Sequence, residues 1–316
     1  MQKQFLINSK GIDISSYSLL ETETCSTSSV IIKHINDTLK NNNILWIRNG
    51  SFDVNNINIK DKTHTTDTDL DLLAKNIYLI NKPIILITQD GDRSVPSSYN
   101  LSTVNTILNC KFIIKWLTQN YDRTIIHQKL NFIPIGFNLH TKLWLINNSY
   151  KDKINFMFSN AKLSFKNNNK INNKILCDYN AYTHTPSTLI FKNDRFNLFQ
   201  SLKNNNLIEF LTTNTSFQDI TKKYNKYLFI LCPRGNGLDS HRIWEVLLAG
   251  SIPIITSSPL DIMFIKHNLP VIILSDWNEL NNNLTNKLSL WQKKFKSLTY
   301  PKNIYPKFNF NYWINL

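Results

Sequence analysis

Arginine is scarce in this chain: of 36 basic residues, only Arg48, Arg93, Arg123, Arg195, Arg234 and Arg242 carry a guanidinium. Lysine supplies the rest, in runs such as 166–174 and 222–226 that read as solvated surface. Acidic residues are fewer, so the net charge is +14 and the pI about 9.5, a positive field that attracts phosphate-bearing partners. That field does not by itself mean nucleic acid. A nucleic-acid binder clusters arginines with stacking aromatics along one element, and here they are dispersed.

The four cysteines, Cys25, Cys110, Cys177 and Cys232, lie far apart without any C-x-x-C spacing, which argues against a zinc site or a disulfide framework and fits a reducing compartment. No run approaches the roughly 20 apolar residues that span a bilayer. Residues 1–10 lack the apolar core of a signal peptide, so the expectation is a soluble, cytoplasmic chain with no membrane span. No repeat of solenoid period is visible.

What is present is a chain of 316 residues with 42% hydrophobic residues, enough for two cores of about 150 residues each. Short β-branched or apolar runs alternate with stretches of helical period, which predicts parallel sheets flanked by helices. Expected strands in the first half are 5–7, 44–47, 84–87, 112–114 and 132–135, with helices at 30–39 and 70–79. The second half offers strands at 175–178, 208–211, 227–232, 252–255 and 271–274, with helices at 195–203, 217–224, 240–249, 260–267 and 279–298. Residues 145–153, with Asn147 and Asn148, read as a linker. The expected organisation is an α/β fold with a Rossmann-like domain over 1–146, a second over 147–299, and an aromatic segment over 300–316 that docks back on the body.

Residues 226–255 read KYLFILCPRGNGLDSHRIWEVLLAGSIPII: a buried strand, a glycine-bearing turn, a helix and another buried strand. In such βαβ units ligands bind beyond the carboxyl ends of the strands, where helix N-termini offer free N–H groups and partial positive charge. Gly235 and Gly237 would allow unusual backbone angles and leave room for a ligand beside Asn236, and Arg234 could grip a phosphate bidentately. On the helix, His241, Arg242 and Glu245 fall on one narrow polar stripe, with Ser240 ahead of them. They either pair with one another, Arg242 with Glu245 at i, i+3, or face a ligand. A carboxylate such as Glu245 suits the two hydroxyls of a ribose because both its oxygens accept hydrogen bonds. His241 is a candidate for contact with donor phosphate or sugar.

This segment resembles the exostosin-type (family 47) glycosyltransferases, whose donor-binding domain carries a run close to P-R-G-x-x-x-x-S-x-R-x-x-E-x-L-x-x-G-x-I-P-V-I. Pro233, Arg234, Gly235, Ser240, Arg242, Glu245, Leu247, Gly250, Ile252 and Pro253 fill that pattern. A fainter likeness lies in WLTQN (116–120) and FIPIGFNLHT (132–141). The resemblance implies a GT-B architecture, two Rossmann-like domains with parallel sheets facing a central cleft, with the nucleotide on the second domain. It also implies inversion at the sugar carbon without an obligatory metal. The expected reaction is transfer of a hexosyl or pentosyl group from a nucleotide-diphosphate sugar, taken to be a UDP-sugar, to the hydroxyl of a glycan, glycoprotein or glycolipid acceptor.

Inversion needs a general base for the acceptor hydroxyl, and Asp90, Asp92 and His140 are the candidates. Asp90-Gly91-Asp92 can equally be read as the D-x-D of metal-dependent GT-A transferases or as a plain turn after a strand. The same residues are compatible with a sugar- or nucleotide-binding protein without turnover, and the net charge with a basic nucleic-acid binder.

Overall fold

The computed structural model describes residues 6–7, 27–50, 57–58, 63–64, 67–139, 146–147, 149–166, 169–178, 192–211 and 215–316. The chain divides into two units, the first comprising Met1–Ile135, Gly237–Asp239 and Asn309–Leu316, the second Gly136–Asn236 and Ser240–Phe308.

In the first unit β1 (Ile44–Gly50), β2 (Ile84–Gly91), β3 (Ile113–Thr118) and β4 (Leu130–Phe132) pair in parallel, in sequence order. Every residue of β1 after Ile44 is buried, as expected of a strand covered on both faces. Helices α1 (Ser28–Asn41), α2 (Asp69–Lys75) and α3 (Leu101–Asn109) accompany the sheet. On α1 the residues buried are Ile31, His34 and Ile35, one face at helical spacing. At the start of α2, Thr68 and Asp71 each satisfy the other's backbone N–H in a capping box. Asp69 beside them receives the Arg48 guanidinium at 2.8 Å in a buried ion pair, which accounts for one of the few arginines structurally.

The second unit opens with α4 (Tyr150–Lys166) and contains β5 (Ile171–Cys177), α5 (Lys192–Leu202), β6 (Ile208–Phe210), α6 (Phe217–Lys226), β7 (Tyr227–Leu231), α7 (His241–Leu248), β8 (Ile252–Thr256), α8 (Asp261–Lys266), β9 (Ile272–Leu274) and α9 (Leu284–Phe295). Its five strands are all parallel, in the order β9-β8-β7-β5-β6. The chain therefore steps outward from β5 to β6, then returns to the other side of β5 to lay down β7, β8 and β9. The gap between the carboxyl ends of β5 and β7 is the topological switch point, where the two connections diverge and leave a crevice. The core is apolar, with Ile175, Phe229, Leu231, Ile252 and Ile254 from the strands packed against Leu198, Leu202, Leu284 and Leu288 from the helices.

Both large sheets are parallel and flanked by helices, and only the two-residue strands Ile57–Asn58 and Thr63–His64 pair in antiparallel fashion among the described residues, so the fold class is α/β. Besides the short helices near the C-terminus, two helices lie where the periodicity predicts none. One is α3. The other is α4, which replaces part of the expected linker because Ile154, Met157, Phe158 and Ala161 recur at helical spacing and are buried. The expected strand at 5–7 is represented by Leu6, bridged to Asn309. Near the C-terminus Ile304, Phe308, Phe310 and Trp313 are buried, on short helices α10 (Pro301–Ile304) and α11 (Phe310–Ile314) and between them.

Candidate active site at the strand-order reversal

β7 ends at Leu231, and the chain passes through Pro233, Arg234, Gly235 and Asn236 to α7. Apolar burial fixes the roll of α7: Ile243, Trp244, Val246, Leu247 and Leu248 are inside, leaving His241, Arg242 and Glu245 half-buried on the remaining stripe. Ser240 is the N-cap residue but makes no side-chain capping hydrogen bond to the first turn. The positive end of the helix dipole lies at this first turn.

The stripe does not close on itself through an Arg242–Glu245 pair at i, i+3. Arg242 Nε instead lies 2.8 Å from Oδ1 of Asp178, the residue after β5, whose side chain is only 1% exposed. The other Asp178 oxygen accepts a hydrogen bond from the Tyr224 hydroxyl at the end of α6. Thus the end of β5 and the first turn of α7 are joined by an ion pair. Burial disfavours the Arg242 cation, but the Asp178 carboxylate beside it favours it, and the guanidinium is held above its ordinary value. Burial, then Asp178, drives the Tyr224 phenol well above its usual range, so it serves as a donor.

His241 Nδ1 lies 2.7 Å from the carbonyl of Gly136. A carbonyl only accepts, so the proton sits on Nδ1. Glu245 accepts the backbone N–H of Asn138, and its carboxyl is pushed upward, first by burial and then by Asp178, against the opposing pull of Lys153, Arg242 and that N–H. Two of the three polar side chains on α7 therefore engage the backbone of 136–138, within the second segment that carries the family likeness.

A third arginine joins this edge without having been expected there. From α5, Arg195 Nε donates to the Arg234 carbonyl at 3.0 Å, and its Nη2 lies 3.7 Å from where a Cβ on Gly235 would stand. Three of the six arginines of the chain are thus tied to the two elements that follow β7 or abut them. The rarity of arginine was the signal that could have found Arg195. Asp178 offered only its position just past a strand.

Gly235 and Gly237 do not adopt the left-handed backbone expected of them; among the described glycines that region is occupied by Gly50, Gly136 and Gly250. Gly237 is required for another reason, since a Cβ there would lie 2.7 Å from Asn120 Nδ2. In the same unit Asn120 Oδ1 accepts the Asp239 N–H at 2.8 Å, and Asp239 Oδ2 accepts the Ile135 N–H at 2.8 Å. The second half of the loop is thereby stapled to the first unit's own backbone.

Asp90-Gly91-Asp92 sits where β2 ends. Asp90 has φ 60°, and Gly91 abuts β1 so closely that a Cβ would fall 2.1 Å from the Gly50 carbonyl oxygen. The Gln119 side chain accepts the Asp90 N–H at 3.1 Å and donates to the Gly91 carbonyl at 2.5 Å, and Asp92 N–H donates to Gly50. This accounts for the glycine as a close backbone approach. Both acids are half-buried. His140 lies outside the described residues. Among the described residues no group of three or more histidines, cysteines or acids could hold a metal ion, and no helix is long and apolar enough to cross a membrane.

No protein-family model and no curated protein matches the chain. Two solved structures are similar at low identity. One is HepE of Anabaena in complex with UDP-glucose, at 11% identity and a TM-score of 0.42, covering 89% of this chain and 78% of that one. The other is a glycosyltransferase of Rickettsia africae, at 15% identity and a TM-score of 0.36, covering 78% of each chain.

Proposed function

We propose that this chain is a glycosyltransferase that takes its sugar from a nucleoside diphosphate sugar, with UDP-sugars as the favoured donors, and binds that donor on the second unit. The observation that carries the reading is the strand-order reversal between β5 and β7, with Arg242, Asp178, Arg195, Arg234 and Glu245 gathered at or beside its carboxyl edge. A site of this kind, with cations at the N-terminus of an uncapped helix and a carboxylate one turn further on, suits a diphosphate joined to a ribose. The run from Pro233 to Pro253 that resembles the exostosin-type enzymes covers the same elements.

In this reading Arg234 and the amides around Gly235, Asn236 and Ser240 receive the diphosphate, with His241 beside them. Glu245 accepts hydrogen bonds from the ribose hydroxyls. Arg242, locked by Asp178, contributes field more than contact. Asp92 is the proposed general base, with Asp90 and His140 the other candidates. Transfer inverts the sugar carbon without an obligatory metal, and the acceptor is a hydroxyl of a glycan, glycoprotein or glycolipid.

Titration calorimetry with UDP tests the donor site. Each charge-assisted hydrogen bond contributes about 1.5–3 kcal/mol, so Arg234→Ala and Glu245→Gln should each weaken UDP by roughly tenfold to a hundredfold while the circular dichroism spectrum is unchanged. Equal affinity in wild type and in both folded variants would remove the assignment.

A further inference from the structure

Lys153 on α4 is fully buried and has no part in the donor contacts described above. Its ammonium donates to the Asn138 carbonyl at 2.5 Å and stands 4.4 Å from the centre of the Phe217 ring. Asn138 is also the residue whose N–H Glu245 accepts. The two peptide groups flanking one Cα are therefore held, the carbonyl by the lysine and the N–H by the carboxylate. A buried lysine is costly unless a counter-charge is close, because its desolvation is only partly repaid by one carbonyl and one aromatic face.

The remaining charged or titratable groups that act on Glu245 are Arg242 on the same helix and, from neighbouring elements, Asp178 after β5, Tyr224 on α6 and Cys232 after β7. Arg242 is engaged by Asp178, with which it forms a close pair. Tyr224 and Cys232 are both held neutral, first by burial. Lys153 is thus the cation left to balance Glu245.

We propose that Lys153 is a positioning residue for the donor site: through the backbone of Asn138 and its own charge it keeps Glu245 ionised and aimed, so that the carboxylate can accept from both ribose hydroxyls. This rests on the reading of Glu245 given under Proposed function. A protonated Glu245 would lose one acceptor and present a donor to a pair of hydroxyls that need acceptors. Burial lowers the Lys153 ammonium and the Glu245 charge opposes that shift, consistent with a pair in which each charge supports the other.

The test compares wild type with Lys153→Met in UDP titrations at about pH 6 and about pH 8.5, read as the ratio of mutant to wild-type affinity so that titration of the phosphate cancels. The ratio should fall by up to about tenfold towards the lower pH, since a one-unit rise in the Glu245 pKa changes the ionised fraction by at most that factor. Adding Glu245→Gln should flatten the ratio. A ratio independent of pH in a folded Lys153→Met protein overturns the proposal.

A measurement without ligand separates this from failure of the donor reading. A carboxyl raised above 4.5 in the folded state binds more protons than the unfolded chain, so its contribution to stability falls as pH rises from 4.5 through the folded value. In Lys153→Met that decline should extend to higher pH than in wild type and vanish with Glu245→Gln. If wild type binds no UDP but this slope behaves as stated, the donor reading fails and the lysine–glutamate coupling stands. If Lys153→Met does not fold, the double variant Lys153→Met, Glu245→Gln should regain the fold, because no uncompensated charge is left buried. Failure of the double variant as well would make Lys153 a packing residue and overturn the proposal.

Discussion

The two parallel sheets finish their strands in different ways. In the first unit the carboxyl edge is a lattice of largely neutral hydrogen bonds: Thr88 donates to Thr118 at 2.7 Å, Trp116 to Thr88 at 2.9 Å, Gln89 to the Pro134 carbonyl at 2.7 Å, and Asn120 to Gly91 at 3.1 Å. These side chains, all buried, bond either to one another or to the backbone of the same unit. In the second unit the equivalent edge carries full charges, with Asp178 and Arg242 paired and Arg195, Arg234 and Glu245 nearby in the chain's contacts. The first strand order runs without reversal through its four strands, whereas the second reverses between β5 and β7. A reversal opens a crevice; an unbroken run gives its strand ends neighbours to bond. The polar strand ends of the first sheet are therefore spent on fixing loops, and those of the second carry the Asp178–Arg242 ion pair.

The largest expected effect concerns the one chemical role assigned to the first edge. Asp92→Asn should lower transfer by roughly a hundredfold to ten-thousandfold, the usual worth of a positioned base, and leave UDP affinity unchanged. Radiolabel transfer assayed beside calorimetry distinguishes these, and an active Asp92→Asn enzyme would return the role to Asp90 or His140. Next in size is Gly237→Ala. Its new methyl would meet Asn120 Nδ2 at 2.7 Å and should cost about 1–3 kcal/mol in chemical denaturation. Combined with Asn120→Ala the two losses should be clearly less than additive, and strict additivity would contradict the packing account.

A smaller effect lies away from both edges. His267 is buried, and its imidazole is pushed down to about 4, by burial first and then by Lys266 and Lys307. Between that value and 6.5 the unfolded chain binds the extra proton, so stability should fall by about 1–2 kcal/mol as pH drops across this window. His267→Gln should remove that part of the slope, as read from urea midpoints at pH 6.5 and 4.5. An unaltered slope would place the acid sensitivity elsewhere.

Much of the second unit was legible in the chain, because parallel strands buried on both faces read as apolar runs and α7 separates its apolar and polar faces cleanly. The expected helix at 240–249 and strand at 252–255 differ from α7 and β8 only at their ends. Helix α4 was hidden because its exposed positions include the apolar Leu163 beside Lys151, Ser159 and Lys162, which blurs its period, and Asn147 and Asn148 imitate a linker. Lys153 was lost with it. The partners of the polar stripe could not be read either: spacing along one helix reveals that Arg242 must find a partner, but Asp178 comes from another strand and becomes its neighbour only through the order in which strands pair. The glycines of 233–239 show the opposite error. A G-x-G after a strand suggests special backbone angles, whereas at Gly237 the side chain of Asn120 fills the space.

Backbone hydrogen exchange with and without saturating UDP tests the contrast between the two edges most directly. A donor site at the strand-order reversal predicts slowed exchange at the amides of 234–243 and around Asp178, with the turn at 90–93 unchanged. Protection confined to the turn at 90–93, or none at either edge, would contradict it.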